Sequence, residues 1–387
     1  MKSPNLGRIF QARLVCREKS KIVISVYSIY RERTMAEAEE ALIPKLAEAS
    51  RREPKTREPR RLAEIITAQL EALRVYHRAV LDSDDIEAVH KMRVTTRRLQ
   101  ASLDLLESQL NVRALKTRLR TWRRALSRVR NYDVFLELIA KEEPARGRAR
   151  KEQLQLIKGI LQQRRARRAK KVRQFLERAD IDKIAIKLGL LVPAPKEQTA
   201  DATPNESSPT EPPLAGYETA SMNVDEGVVA AYAAERLEQR LTEFQALVAQ
   251  SHPTNDPAEL HQLRIAAKRV RYLLENVSQM GFGDASKALL WLRTLQDRIG
   301  DWHDLEALEE EIITITSARE FTKQHLVESS RMLLAAAHLQ KKKNALVTRL
   351  FPVRMPRHIS VTSHRIARAL RRKAMADPTA SSKTSAS

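Results

Sequence analysis

Two separate stretches of this sequence each carry a histidine followed by basic residues at helical spacing. The two sets are His90, Arg93, Arg97 and His261, Arg264, Lys268. At about 100° per residue, this spacing places the members of each set on one face of a helix. Guanidinium, ammonium and imidazolium groups donate charge-assisted hydrogen bonds, for which phosphate oxygens are strong acceptors. The spacing therefore predicts two helix faces that bind an anion.

The opposite face of each stretch is apolar. Its residues are Met92, Leu99, Leu103 and Leu106 in the first stretch and Leu263, Val270, Leu274 and Val277 in the second. Each stretch therefore predicts an amphipathic helix whose apolar face packs in a core. A helix that faces the interior has no structural need for a second, cationic face, so that face is a candidate for function.

The whole chain carries a large excess of positive charge. Its 387 residues include 70 lysines and arginines against 48 aspartates and glutamates, which gives a formal charge of +22 (70 − 48). An excess of this size predicts attraction to a polyanion, whether nucleic acid, an anionic membrane surface or polyphosphate.

Composition also predicts the fold class. The chain has only nine glycines and 4% aromatic residues, and residues that favour helices dominate it, so we expect an all-α protein. The single Cys16 excludes an internal disulfide framework and a Cys-based zinc site. No apolar run approaches the roughly 20 residues that cross a bilayer, so we expect a cytoplasmic protein without a membrane span.

Proline and polar residues divide the chain into segments. We expect residues 1–59 to be a disordered or dispensable lead-in, 60–192 to form a first helical half and 216–351 a second. Between the halves, residues 193–215 hold six prolines among Ser, Thr, Glu and Asp, which is typical of a flexible linker. Residues 352–387 are expected to be a basic tail rich in Ser and Thr.

The two halves resemble each other beyond the histidine stretches. Leu126–Asn131 aligns with Ile299–Asp304, and Leu161–Arg165 aligns with Leu339–Lys343. Internal repetition of this kind predicts two copies of one unit of about four helices, each burying its apolar faces against the others. We interpret the segments at 126–131 and 299–304 as turns between helices.

The paired His-x-x-Arg-x-x-x-(Lys/Arg) helices, each followed by such a segment about 40 residues later, resemble the CHAD domain, the conserved-histidine α-helical domain. The resemblance covers roughly residues 60–350. It implies two four-helix bundles, related by a pseudo-twofold axis, that face each other across a basic groove and bind inorganic polyphosphate there. The chain departs from the family pattern at Ser127, Asn131 and Gln100, which predicts a first half somewhat weaker in charge and turn geometry.

Anion contact is therefore predicted for cations that repeat between the halves. The predicted polyphosphate-binding residues are His90, Arg93, Arg97, Arg120, Arg164, Lys171, His261, Arg264, Lys268, Arg271, Arg293, Lys342 and Arg349. Metal binding is not expected, because the nearby cations repel a metal and ligand spacing is missing. Turn and cap roles explain Asp133, Asp301 and Asp304 better than acid–base catalysis does.

The sequence favours non-enzymatic binding of polyphosphate, without a cofactor and with association with polyphosphate granules as an expectation. One alternative is an RNA- or DNA-binding helical protein, which should carry exposed stacking aromatics, whereas Trp122, Trp291 and Trp302 lie in apolar patterns. A second alternative is a part of, or an accessory to, a phosphate-hydrolysing system. Neither a Gly-x-x-x-x-Gly-Lys phosphate loop nor the Glu-x-Glu-x-Lys motif of the CYTH triphosphatases occurs in the sequence.

Overall fold

Long amphipathic helices make up most of the part of the chain that the computed structural model describes, which is residues 59–142, 148–189, 191–193, 217–219, 224–253 and 256–376. The all-α class predicted from composition is thereby confirmed. The expected lead-in, apart from Pro59, lies outside the described residues, and so do residues 194–215 of the expected linker.

The first half consists of four long helices that pack in succession. They are α1 (Leu62–Asp82), α2 (Ile86–Leu105), α3 (Arg113–Glu142) and α4 (Arg148–Leu176). Each contacts the next, and α1 also contacts α4, so that the four helices enclose a shared apolar interior. A short helix α5 (Asp182–Lys187) follows, and strand β1 (Leu191–Pro193) pairs antiparallel with β2 (Tyr217–Thr219).

The second half repeats the succession of helices. It contains α6 (Glu226–Gln250), α7 (Pro257–Gln279), α8 (Ser286–Thr316), the short α9 (Arg319–Gln324) and α10 (Leu326–Leu350). Here α6 contacts α7, α7 contacts α8, and α8 contacts α10. The repeat of about four helices is present in both halves, whereas the pseudo-twofold relation between them stays a prediction.

Both histidine helices begin at an aspartate that caps the helix. The carboxylate of Asp85 accepts a hydrogen bond from the backbone N–H of Glu87 at 2.8 Å, which starts α2. Asp256 accepts one from Ala258 at 2.9 Å, and Pro257 occupies the first helical position of α7. The caps fix where each helix starts and therefore which face carries the histidine.

The expected C-terminal tail is largely helical. Residues Arg357–Ala376 form helix α11, which packs along α6 and also contacts α8. Buried apolar residues recur along it at helical spacing among basic residues: Ile359, Ile366, Ala367 and Leu370. The basic, Ser- and Thr-rich composition predicts a tail here, whereas this spacing is that of an amphipathic helix. The second half therefore extends beyond residue 351.

The expected turns at 126–131 and 299–304 are wrong, because α3 and α8 run through both segments without a break. On α3 the buried residues Leu126, Val129, Tyr132 and Phe135 keep the helical period across the predicted turn. Asparagine and glycine are tolerated within a helix when buried neighbours on both sides hold it.

Two separate hydrophobic clusters lie along α3 and α8. The first ends at Val129 on α3 and at Trp302 on α8. The second begins at Tyr132 and Leu305 and includes parts of α4 and α10. The repeated segments 126–131 and 299–304 therefore occupy the level at which the apolar interior is interrupted, and this is where polar side chains gather.

Candidate anion-binding site

The two predicted cationic faces meet between the halves. Helix α2 contacts α7, and α3 contacts α8. The guanidinium of Arg97 on α2 donates a hydrogen bond to the hydroxyl of Tyr272 on α7 at 3.2 Å. Farther along the same helices, the hydroxyl of Ser102 donates to the Asn276 side-chain oxygen at 3.3 Å. These bonds hold the histidine helices of the two halves face to face.

Four cations from the two helices form what we call the central cation cluster: Arg93, Arg97, Arg264 and Lys268. None of them forms a salt bridge with a carboxylate of the described residues. Burial lowers the pKa of Lys268 to about 6, and repulsion by Arg264, Arg97 and Arg93 adds to the shift. The pKa of Arg93 falls to about 10, first by burial and then by repulsion from Arg97 and Arg264. The cluster therefore brings four basic side chains together without an ion pair among the described residues, and the charges of Asp304 and Asp297 offset part of the repulsion at Arg264.

Histidines surround the cluster on both sides. Burial, followed by repulsion from Arg130, lowers the pKa of the half-buried His90. His261 is exposed, and its ring lies 6.2 Å from the ring of His303, measured between centroids. His303 was missed by the sequence prediction, and burial together with Arg264 lowers its pKa to about 4. The alignment of 126–131 with 299–304 carried the signal, since His303 lies in that segment.

A cleft of about 440 Å³ opens beside the cluster. The cations that line it from both halves include Arg97, Arg120, Arg123, His261 and Lys268. Arg123 was missed because its aligned residue in the second half is Gln296, which is uncharged.

Arg123 also corrects the expectation of a weaker first half. Its guanidinium donates to the Gln100 side-chain oxygen at 2.7 Å. Gln100 aligns with Arg271, and Arg123 aligns with Gln296, so arginine and glutamine exchange places between neighbouring helices. The first half thus keeps the positive charge and supplies it from α3.

The segments at 126–131 and 299–304 support the two paired arginines. The Nε of Arg93 donates to the hydroxyl of Ser127 at 3.0 Å. At the aligned position, a Cβ on Gly300 would lie 3.3 Å from the terminal nitrogen of Arg264. Gly300 therefore lets the guanidinium of Arg264 approach closely, whereas Ser127 accepts a hydrogen bond from Arg93. Neither residue forms a turn.

Several predicted residues lie outside the cluster. The guanidinium of Arg164 lies 2.6 Å from the carboxylate of Glu311, and this ion pair joins α4 to α8. Arg271 and Arg293 lie 3.6 and 3.5 Å from the carboxylate of Glu275. These three cations already have carboxylate partners, which sequence spacing does not reveal.

The remaining predicted cations are placed elsewhere on the helices. Lys171 and Arg349 are exposed on α4 and α10. Lys342 lines a different pocket, beside the second hydrophobic cluster. Alignment of the two halves therefore finds basic residues at matching positions, but it does not show which of them line the cleft.

The turn and cap roles expected for three aspartates are also wrong, because all three lie within helices. Asp133 pairs with Arg165 at 2.5 Å, and the aligned residues Glu306 and Lys343 form the equivalent pair in the second half. Asp301 and Asp304 lie near Arg264, and burial raises the pKa of both carboxyls. The recurring buried pair stabilises the α3–α4 and α8–α10 contacts in the same way.

Comparison with known proteins agrees with this architecture. A family model described as the CHAD domain matches residues 64–312, which is more than half of the chain. The chain belongs to the CHAD domain family. The matched region ends within α8, so that α10 and α11 lie beyond it.

A solved structure of a CHAD domain shows the same fold. This CHAD domain chain is similar to the crystal structure of the CHAD domain from the plant Ricinus communis, with 20% identity, a TM-score of 0.52, and coverage of 77% of this chain and 94% of that one. It is also similar to PptA from Streptomyces chartreusis, with 18% identity, a TM-score of 0.43, and coverage of 81% of this chain and 98% of that one. No curated protein matches the chain.

Within the described residues of this CHAD domain, no helix is long and apolar enough to cross a membrane. The same residues contain no group of three His, Cys, Asp or Glu side chains placed to hold a metal ion.

Gly300 offers a direct test of the close approach to Arg264. Gly300→Ala should weaken polyphosphate binding several-fold, because the new Cβ forces the guanidinium of Arg264 to shift by a few tenths of an ångström. Stability should change by no more than about 1 kcal/mol, because alanine favours helix over glycine by about that amount. Titration calorimetry and thermal unfolding measure the two effects.

Gly159→Ala is the matched control, because Gly159 also lies within a helix and a Cβ there would meet nothing within 4 Å. It should stabilise the protein and leave binding unchanged. Equal effects of the two substitutions on binding would contradict the role given to Gly300.

Proposed function

We propose that this CHAD domain protein binds inorganic polyphosphate at the central cation cluster. The observation that carries the proposal is the convergence of Arg93, Arg97, Arg264 and Lys268 from both halves without carboxylate partners. Holding these charges together costs free energy that a polyanion restores, and phosphate oxygens accept bidentate hydrogen bonds from arginine. The family resemblance leads to the same ligand.

Unsatisfied polar atoms at the site support an anion of this kind. The Nε of Arg264 and the Nδ1 of His90 are buried without a hydrogen-bond partner among the described residues. Buried polar atoms normally have a partner, so these two are consistent with a ligand that completes the site. Because both halves contribute, we propose that one polyphosphate chain contacts both histidine helices.

The first test is competition between two polyanions. Long-chain polyphosphate should bind more tightly than single-stranded RNA of equal charge, because the described residues of the cleft offer cations but no exposed aromatic ring on which a base could stack. The logarithm of affinity should fall with the logarithm of salt concentration with a slope of at least about 3, as expected when four cations release counterions. Fluorescence anisotropy at matched ionic strength measures both.

The burial of two tryptophans favours polyphosphate over nucleic acid as the proposed ligand. Trp122 and Trp302 are only 4% and 1% exposed, so neither ring is available to stack on a base. Tyr272 at the cleft is buried and holds Arg97 through its hydroxyl. RNA binding equal to or stronger than polyphosphate binding would overturn the choice of ligand.

We also propose that the protein binds polyphosphate without hydrolysing it. Burial raises the pKa of Asp301 and Asp304, two carboxyls near Arg264, and this disfavours the charged form that binds a catalytic metal. Purified protein should release no phosphate from polyphosphate or nucleoside triphosphates, with or without Mg²⁺ or Mn²⁺. Turnover that disappears in Asp301→Ala or Asp304→Ala would show that the protein is an enzyme.

The physiological setting follows from the ligand. A protein that binds long polyphosphate should accumulate where that polymer is stored, so we propose a cytoplasmic protein associated with polyphosphate granules. Fluorescence microscopy of a tagged protein in cells with and without stored polyphosphate tests this location.

A further inference from the structure

A second pocket lies beside the second hydrophobic cluster, among α3, α4, α8 and α10. Its volume is about 800 Å³, which is within the range of small-molecule binding sites. Its walls are mainly apolar and include Leu138, Ile139, Leu154, Leu305, Leu308 and Leu339. Helices of both halves thus enclose an apolar cavity that polyphosphate, which has no apolar part, does not explain.

The polar groups of this pocket are mostly basic. Lys141 and Lys341 line it and are exposed, and Arg331 and Lys342 line it as well. Among the lining residues that the structure describes, Asp301 is the only carboxylate. The pocket therefore combines an apolar interior with a positively charged border, and the charge complementarity indicates an anionic partner.

Leu334 marks the entrance. It lines the pocket, yet 71% of its surface is exposed to solvent. An exposed large apolar side chain that also lines an apolar pocket marks a place where an apolar ligand can enter.

We propose that this pocket binds a single-chain amphiphile with an anionic head, such as a fatty acid. The acyl chain occupies the leucine-lined interior, and the head group contacts Lys141 and Lys341. One extended acyl chain fits a cavity of this volume, and an anionic head group complements the lysines at its border. The proposal is independent of polyphosphate binding at the central cation cluster.

The first experiment compares head groups on the same chain. Dodecanoate, dodecanol and dodecyltrimethylammonium are titrated into the full-length protein below their micelle concentrations, and heat is measured by calorimetry. Dodecanoate should bind most tightly, and each methylene removed from the chain should weaken binding roughly fourfold. Equal binding of the three compounds, or no saturable binding of dodecanoate, would overturn the proposal.

Leu334→Glu and Leu333→Glu form a matched pair on α10, since both leucines are exposed but only Leu334 lines the pocket. Leu334→Glu should lower dodecanoate affinity at least tenfold, and Leu333→Glu should leave it unchanged. Circular dichroism verifies that both variants fold. Unchanged binding in Leu334→Glu would contradict the assignment of the entrance.

A charge variant keeps the test independent of the leucines. Lys141→Gln combined with Lys341→Gln should weaken dodecanoate several-fold and leave dodecanol binding unchanged. Light scattering is measured alongside: a dimer that Leu334→Glu converts to a monomer would show that a second copy covers this surface, and would overturn the ligand proposal.

The two proposed sites are separated by their variants. Arg93→Ala combined with Arg97→Ala should leave dodecanoate binding intact, and Leu334→Glu should leave polyphosphate binding intact. Loss of dodecanoate binding in the Arg93 and Arg97 variant would place the amphiphile at the cation cluster and overturn the second site.

Discussion

Replacing Arg93 and Arg97 together by alanine should weaken binding of a short polyphosphate by about 10²- to 10⁴-fold. A hydrogen bond to a charged group contributes about 1.5–3 kcal/mol, so two of them account for about 3–6 kcal/mol. Arg264→Ala combined with Lys268→Ala should cost a similar amount. Stoichiometry should remain at one chain of phosphates per protein, because the two helices face each other across one cluster.

Lys171→Ala combined with Arg349→Ala is the matched control for this result. It removes the same charge from aligned, exposed positions of α4 and α10. Binding should fall only slightly, through the general loss of positive charge, and circular dichroism should be unchanged in all variants. If each double variant of the cluster instead halves the number of sites and leaves the remaining affinity intact, the halves bind separately.

Polyphosphate binding should take up a proton above pH 6. Lys268 has a pKa of about 6 in the free protein, so its amine is mostly neutral at pH 7.5. A bound polyanion raises this pKa, because it favours the charged ammonium. The contribution of Lys268 to the affinity for polyphosphate should therefore be nearly constant below pH 6. Above pH 6 this contribution should fall by up to tenfold per pH unit. Burial lowers the pKa of His303 to about 4, so this histidine does not change its charge above pH 6.

Calorimetry in buffers of different ionisation enthalpy counts the protons taken up. Lys268→Arg should bind polyphosphate with little change between pH 7 and 8.5, because the guanidinium stays charged across this range. Lys171→Arg is the control and should keep the pH dependence of the unmodified protein. The idea fails if Lys268→Arg shows the same proton uptake as the unmodified protein.

The lowered pKa of Lys268 also makes the stability of the free protein depend on pH, but here the free energy of unfolding rises with pH whereas the affinity falls. Lys268 has a folded pKa below its ordinary value of 10.5, so the unfolded chain binds more protons between these values. The free energy of unfolding should therefore rise with pH from about 6 to 10 in the absence of ligand.

The sequence by itself determined the helices and the cationic faces. Met92, Leu99 and Leu103 are fully buried, as their spacing predicted, because a helix with one apolar face must bury it. The spacing of Arg93 with Arg97 and of Arg264 with Lys268 placed each pair on one face for the same geometric reason. Repetition of that pattern was enough to identify the family.

Only the tertiary structure decided which cations remain unpaired. Arg164 and Arg293 look like Arg93 and Arg264 in the sequence, yet carboxylates on neighbouring helices neutralise them. Ion pairs across helices depend on how the helices pack, and helical spacing contains no information about that.

The structure also decided how one charge pattern is built from two unequal halves. Arg123 on α3 supplies a positive charge next to Gln100 on α2, where the second half has Arg271. The hydroxyl oxygen of Ser127 accepts a hydrogen bond from Arg93, whereas Gly300 leaves room for Arg264.

The basic composition of residues 352–387 predicts a tail, but the structure packs the apolar residues of α11 against the second half. Composition does not show which surface a helix will cover. Local sequence fixes the face of a helix, whereas the partner of that face depends on residues far away in the chain.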